Sequence, residues 1–353
     1  MKHFKFYFKE ALQSLTNIRQ FETKFGERVK CLSSEKNWKE ELKSTAAKYI
    51  VVGIPEDIGV KANMGIGGAA TAWLPFLTNF LNIQSNEFLT GEDILILGYF
   101  DFGDIINLIE QNAQTTEELT AAYRHAVTII DEEVENIIKE IALLQKVPIV
   151  IGGGHNNAYP IIKGVAKGLQ KVGKLVLPQI NIINLDAHAD FRNTEGRHSG
   201  NAFRYAYEDG YLSKYAMVGL HENYIAQNVL MEMHNNPLIH YTSYEEIFLQ
   251  EKITFMQAVA HAADFTSDTC TGIEVDLDCI ENVLSSAATP AGISALQARQ
   301  FVTFAARNSK AAYLHICEGA TLLADGRTNV TTGKLISYLV TDFIKSATQN
   351  NLQ

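Results

Sequence analysis

Three short segments carry most of this chain's capacity for chemistry: Gly152-Gly153-Gly154-His155, Asp186-Ala187-His188-Ala189-Asp190 and Asp276-Leu277-Asp278. Together they offer two imidazoles, His155 and His188, and four carboxylates, Asp186, Asp190, Asp276 and Asp278. Residues two apart in an extended chain project to one side. If these segments are extended, Asp186, His188 and Asp190 share a side, and so do Asp276 and Asp278. Four carboxylates meeting in a low-dielectric cleft repel one another, so something cationic must sit among them. Oxygen and nitrogen donors without a thiolate suit Mn2+ or a similar divalent ion. Six donors are too many for one tetrahedral ion and natural for two ions about 3.5–4 Å apart that share carboxylates and a water. Taken singly, a triple glycine reads as a tight turn and an Asp-x-Asp pair as a surface turn. Here all three segments occur in order, each behind a buried strand.

The elements that must position these groups are legible as short apolar runs: Tyr49–Ile54, Ile94–Tyr99, Val147–Ile151, Ile180–Leu185, Ala216–Leu220, Gly272–Leu277 and Ala312–Ile316. Runs that are apolar on both faces mark the strands of a mostly parallel sheet. Helical patterns lie between them. The clearest spans Thr116–Leu144, where Leu119, Tyr123, Ala126, Ile130, Val134, Ile137 and Ile141 recur every three or four residues. Thr115 and Glu118 form a capping box at its start. This alternation predicts a three-layer α/β/α fold with sites at the carboxyl ends of the strands. No Pro/Ser-rich linker or internal repeat divides the chain. Residues 1–44 read as a helical N-terminal extension of mixed charge, and residues 45–353 as a single α/β catalytic domain.

The chain has 353 residues, 46% of them hydrophobic, with 30 Lys+Arg against 40 Asp+Glu and a net charge of −10. This composition argues against disorder and against a broad nucleic-acid surface. No apolar run approaches the roughly 20 residues of a membrane span. The N-terminal stretch lacks a secretory cleavage site. Cys31, Cys270, Cys279 and Cys317 form no CxxC and read as reduced thiols. These features predict a cytoplasmic protein whose partner is a small molecule rather than nucleic acid or membrane.

The three segments in this order resemble the ureohydrolase family of arginases, agmatinases and formiminoglutamases. Gly53-Ile54-Pro55-Glu56-Asp57 and Gly65-Ile66-Gly67-Gly68-Ala69 resemble the family's first strand and the glycine-rich loop after it, so the likeness spans about residues 50–320. It implies an arginase-like central sheet of about eight strands, two Mn2+ per chain and hydrolysis of a C–N bond in an amidine or guanidine. It also implies a homo-oligomer, trimeric or hexameric. His155 and His188 would each be a terminal ligand of one manganese, with Asp186, Asp190, Asp276 and Asp278 supplying the rest. A hydroxide generated between the ions would attack the amidine carbon, and Asp190 would relay a proton to the leaving nitrogen.

Flanking residues bear on the substrate. Asp190-Phe191-Arg192 followed by Ser199-Gly200-Asn201-Ala202-Phe203-Arg204 resembles the DxR and SGTxF of formiminoglutamases. Arg192 offers a bidentate fork for a carboxylate, with Asn201 and Arg204 as further substrate contacts. Gln297 stands where arginases and agmatinases carry a Glu facing the guanidinium. His198 lies near the arginases' proton-shuttling His, and Glu318 takes the place of the family's closing Glu. Gly154 replaces the family's usual Asp before the metal-binding His. The reading favours hydrolysis of N-formimino-L-glutamate to L-glutamate and formamide, a step of histidine degradation. Arginine or another guanidino acid is the alternative substrate. A catalytically weak member that binds a metal or ligand is the alternative of another class.

Overall fold

The computed structural model describes residues 2–350. Among them a nine-stranded sheet forms the middle layer. Its strands are β1 (Phe4–Phe6), β2 (Tyr49–Gly53), β3 (Ile94–Phe100), β4 (Val147–Ile151), β5 (Ile180–Leu185), β6 (Leu212–Leu220), β7 (Ile239–Ser243), β8 (Cys270–Asp276) and β9 (Lys310–Cys317). Their spatial order is β1-β3-β2-β4-β9-β8-β5-β6-β7. Every pairing is parallel except that of β1 with β3.

Pleat alternation divides the core in two. On β2, Ile50 and Val52 face the helices Thr116–Leu143 and Ala158–Lys171, where they pack with Ile130, Ile137, Ile161 and Val165. Tyr49 and Val51 face the opposite layer, which holds Trp73–Leu81, Phe255–Phe265, Ala295–Asn308 and Thr332–Asn350. The chain is therefore α/β/α, as the alternation of patterns predicts. The long helix begins at the Thr115/Glu118 capping box and ends at Leu143.

The seven expected strands are present, and β1 and β7 are additional. Both lie at sheet edges, where one side meets solvent. Neither shows the continuous apolar run of a strand buried on both faces: β1 is Phe-Lys-Phe and β7 is Ile-His-Tyr-Thr-Ser. Residues 1–44 accordingly differ from a purely helical extension. They contain the helices Lys9–Ser14 and Trp38–Ser44, but they also lend β1 to the sheet, with Phe4 set edge-on against Phe100 at 4.9 Å. No helix among the described residues is long and apolar enough to cross a membrane.

Candidate metal centre and active site

Four neighbouring strands, in the order β4, β9, β8, β5, bring their carboxyl ends to one place. His155 opens a short 3-10 turn after β4, and Glu318 follows β9. Asp276 ends β8 with Asp278 just beyond, and Asp186 follows β5 with His188 and Asp190 behind it. A crevice at the strand ends, where the chain's direction of strand addition reverses, is the usual ligand site of such sheets. Asp190 (φ 45°) and Glu318 (φ 60°) hold left-handed backbone, at a cost of roughly 1 kcal/mol or more for a residue with a Cβ. Both line the cavity that opens over the strand ends.

His155 Nδ1 lies 3.2 Å from Asp186 Oδ2, 2.9 Å from Asp190 Oδ2 and 3.1 Å from Asp276 Oδ2. None of these approaches has hydrogen-bond geometry, so Nδ1 of this fully buried ring is left without a hydrogen-bond partner among three carboxylates, and Nε2 on the opposite edge has none either. His188 Nδ1 lies 3.0 Å from Asp278 Oδ2 and 3.7 Å from Asp186 Oδ1. The six donors thus form two sets, His155/Asp186/Asp190/Asp276 and Asp186/His188/Asp278, with the ligand atoms of each set within 4.8 Å of one another; a third group, His155/His315/Cys317, adds a sulfur and shares only His155 with them. Asp186 belongs to both six-donor sets, through different oxygens.

The electrostatics of this cluster call for a counter-charge. Burial, and then the charges of Asp278 and Asp186, push the Asp276 carboxyl well above the usual range. Burial raises Asp190 too, and Glu318 to about 8. Burial would lower His188, but Asp278 and Asp186 overcome it and raise the ring well above its ordinary value. Buried carboxylates in such numbers are tolerated around positive charge. The orphaned Nδ1 of His155, the shared Asp186 and the all-N/O donor set fit a pair of divalent cations of the Mn2+ type.

Surrounding residues hold the donors in place. Glu56, fully buried, accepts from the backbone N–H groups of Ile58, Gly59 and Gly154 and from the side-chain amides of Asn156 and Asn157. It thereby ties the turn after β2 to the turn that presents His155. Arg197 forks onto Asp131 of the long helix at 2.8 and 3.1 Å and donates to the Asn156 carbonyl at 2.7 Å. Asn184, two residues before Asp186, donates to Asp186 Oδ2 at 3.0 Å. The cavity above has a volume of about 450 Å³. Asn63, Arg192 and Ser199 make a polar wall, and Tyr224, Ile225 and Val229 a more apolar one. Tyr224 stacks on His188 with centroids 4.9 Å apart.

The profile of the arginase family matches residues 47–341. The chain belongs to the arginase family. Among curated relatives, a formimidoylglutamase of Macrococcus caseolyticus is 25% identical over 296 residues, or 82% of this chain and 83% of that one. A formimidoylglutamase of Aromatoleum aromaticum is 28% identical over 158 residues, covering 44% of this chain and 40% of the relative. The chain thus spans less than half the length of that relative, and likewise of the formimidoylglutamases of Streptococcus pyogenes, at 47%. Among solved structures, a Trypanosoma cruzi formiminoglutamase solved with Mn2+2 superposes with a TM-score of 0.67 at 19% identity, covering 92% of this chain and 98% of that one. Bacillus subtilis formimidoylglutamase gives a TM-score of 0.69 at 16% identity, covering 94% of each. At these identities the structures establish the arginase fold.

Within this arginase-family frame, the flanking residues divide. Arg192 and Glu318 line the cavity. Arg192 is half exposed; its Nη1 donates to Asn63 Oδ1 at 2.8 Å and its Nη2 reaches Glu195 at 3.4 Å. Glu318 Oε1 accepts from the His155 backbone N–H at 2.9 Å. Four other residues are engaged elsewhere: Arg204, Asn201 and Gln297, expected to meet substrate, and His198, expected to act in catalysis. Arg204 is buried, forked onto Glu232 and stacked on Phe191. Asn201 spends its side chain on the Arg197 guanidinium and on the Asn193 and Gly196 carbonyls. Gln297 closes a capping box with Ser294 at the start of the helix Ala295–Asn308. His198 is fully buried; its Nδ1 accepts from the Gly200 N–H and its Nε2 meets Glu195 at 3.2 Å. Burial lowers the His198 ring to about 4, which suits a neutral, structural imidazole rather than a shuttle. None of the four lines the cavity.

Gly154 also has a local reason. A Cβ there would lie 2.5 Å from Asn156 Oδ1 and 3.2 Å from Glu318 Oε1. Glu318 brings its carboxylate to the space that the family's usual Asp would enter. Glu56, Asn63, Tyr224, Glu274 and His315 contribute although the sequence assigned them no role. Glu56 stands in the Gly53–Asp57 motif, and Glu274 and His315 each lie in a strand that ends at the site, two or three residues before a cavity-lining carboxylate, whereas Asn63 and Tyr224 carried no signal.

Proposed function

We propose that this protein hydrolyses the C–N bond of a linear amidine, N-formimino-L-glutamate, to L-glutamate and formamide, with two manganese ions held by the six strand-end donors. The observation that carries this reading is the pair of largely buried donor sets sharing Asp186 beneath a cavity whose wall presents Arg192. His155 Nδ1, Asp186, Asp190 and Asp276 would hold one ion, and His188 Nδ1, Asp186 and Asp278 the other. Bound there, the ions supply Lewis acidity that makes hydroxide available near neutral pH.

The chain's own residues do the rest. Arg192, steadied by Asn63 and Glu195, receives a substrate carboxylate with its fork. That contact favours an amino-acid tail and repels the cationic tail of agmatine. Tyr224, Ile225 and Val229 shelter the aliphatic part of the substrate. Asp190, set over the cavity by its left-handed backbone, takes the proton of the attacking water at a carboxylate oxygen and passes it to the leaving nitrogen. Arginine is the competing substrate, since its amino-acid carboxylate would meet Arg192 in the same way.

Release of formamide and of urea, measured with formiminoglutamate, arginine and agmatine in added Mn2+, separates these readings. Formamide from formiminoglutamate is the expected result. Urea from arginine would move the assignment to the guanidino acids. Two bound ions with no turnover of any amidine would support a binding role instead.

A further inference from the structure

Beneath the two donor sets lies a second polar layer that the reaction above does not use. Glu274 stands on β8 two residues before Asp276, and so projects from the same side of the sheet. Its register partner on β9 is His315, and Tyr313 lies two residues before that. All three are fully buried. Glu274 Oε2 binds His315 Nδ1 at 2.6 Å, and Oε1 accepts from Tyr313 Oη at 2.5 Å. The same Oε2 lies 3.4 Å from His155 Nε2, a close approach without hydrogen-bond geometry. Cys317 brings its sulfur to the same spot, within 4.8 Å of ligand atoms of His155 and His315. A carboxylate buried in the middle of a sheet is costly where Val or Ile would pack freely, so its placement calls for a role.

We propose that Glu274 is a positioning residue for the metal centre. His315 and Tyr313 fix its two oxygens, and it presents a negative edge to His155 Nε2. That edge keeps the ring proton on Nε2 and leaves the Nδ1 lone pair facing Asp186, Asp190 and Asp276. The opposite tautomer would set a lone pair against a carboxylate and aim an N–H into the cation site. Carboxylates behind ligating histidines commonly set ring orientation and basicity in this way. The inference rests on His155 being a ligand, so its test is made to fail separately from that assignment.

Manganese is titrated into wild-type protein and Glu274→Gln. Bound ions are counted by equilibrium dialysis, and the spin state of the bound ions is read by electron paramagnetic resonance. The wild type binds two ions as a coupled pair. An amide at position 274 can offer its own N–H to Nε2, so Glu274→Gln keeps the ion at His188 and weakens the one at His155 by about 10–100-fold, with a single-ion spectrum replacing the coupled one. Tyr313→Phe, which frees only Oε1 and leaves Oε2 held by His315 toward His155, still binds the pair. If Glu274→Gln does not fold, His315→Gln, which frees the carboxylate to turn, shows the same selective weakening in milder form. A lowered melting temperature with both ions bound at wild-type affinity in these variants would overturn the proposal. Failure of the wild type to bind a pair would instead remove the ligand assignment beneath it.

Discussion

Replacing His198 with Asn tests whether this residue is part of the machinery or of the scaffold. The ring is fully buried, and burial lowers it to about 4 in the folded chain against an ordinary value of 6.5. Between those values the unfolded chain binds a proton that the folded chain does not, so stability rises with pH there and falls as the solution is acidified below 6.5. With those two values, unfolding free energy falls by roughly 2 kcal/mol from pH 7 to pH 5 on account of this one group, and by about 3 kcal/mol at pH 4. Asn keeps an oxygen near the place of Nδ1 to accept from the Gly200 N–H, but it does not titrate. Its smaller volume costs stability at every pH equally, and that constant cancels in the pH dependence. Urea unfolding of both proteins at pH 7 and pH 5, at fixed manganese, reads the difference. At a slope of about 3 kcal/mol/M the wild-type midpoint falls about 0.6 M more than the variant's. Because the ring faces Gly200 and Glu195 and not the cavity, kcat near neutral pH is retained. Equal acid sensitivity in the two proteins would refute the buried neutral imidazole, and a large loss of kcat with intact stability would restore the shuttle.

Other substitutions separate the donors from their surroundings. Asp276→Asn removes one negative charge from the buried set that contains His155, so metal content and activity fall together; metal analysis that still finds two ions would count against the ligand assignment. Arg192→Ala raises KM for a dicarboxylate substrate about 10-fold or more while metal content stays at wild-type level, and steady-state kinetics with unchanged KM would remove the carboxylate contact. Gln297→Ala opens the Ser294 capping box and lowers stability by about 1 kcal/mol in thermal unfolding. It leaves KM unchanged, and a KM effect would return Gln297 to the substrate side.

The strand-end donors were legible because the geometry that joins them is local in each segment. A buried strand delivers the residues after it to the sheet's carboxyl edge, and short spacings such as Asp276-Leu277-Asp278 survive as neighbours even though only Asp276 of the six donors lies on a strand. The central strands were legible for a related reason, since burial on both faces demands continuous apolar runs. Edge strands escape that demand, and β1 and β7 were missed with it.

The residues around the donors were decided by partners far away in sequence. Arg204 and Arg192 are the same residue type in one stretch, yet Glu232 engages one while Asn63 holds the other at the cavity wall. Gln297 was taken up by a helix start and His198 by a buried turn. Glu56 and Glu274 act through Asn157 and His315, partners 101 and 41 residues distant. Sequence spacing therefore determined which atoms meet at the strand ends. Only tertiary packing decided which polar side chains remain free to meet a ligand, because a hydrogen-bonding group satisfied by the fold is no longer available to substrate.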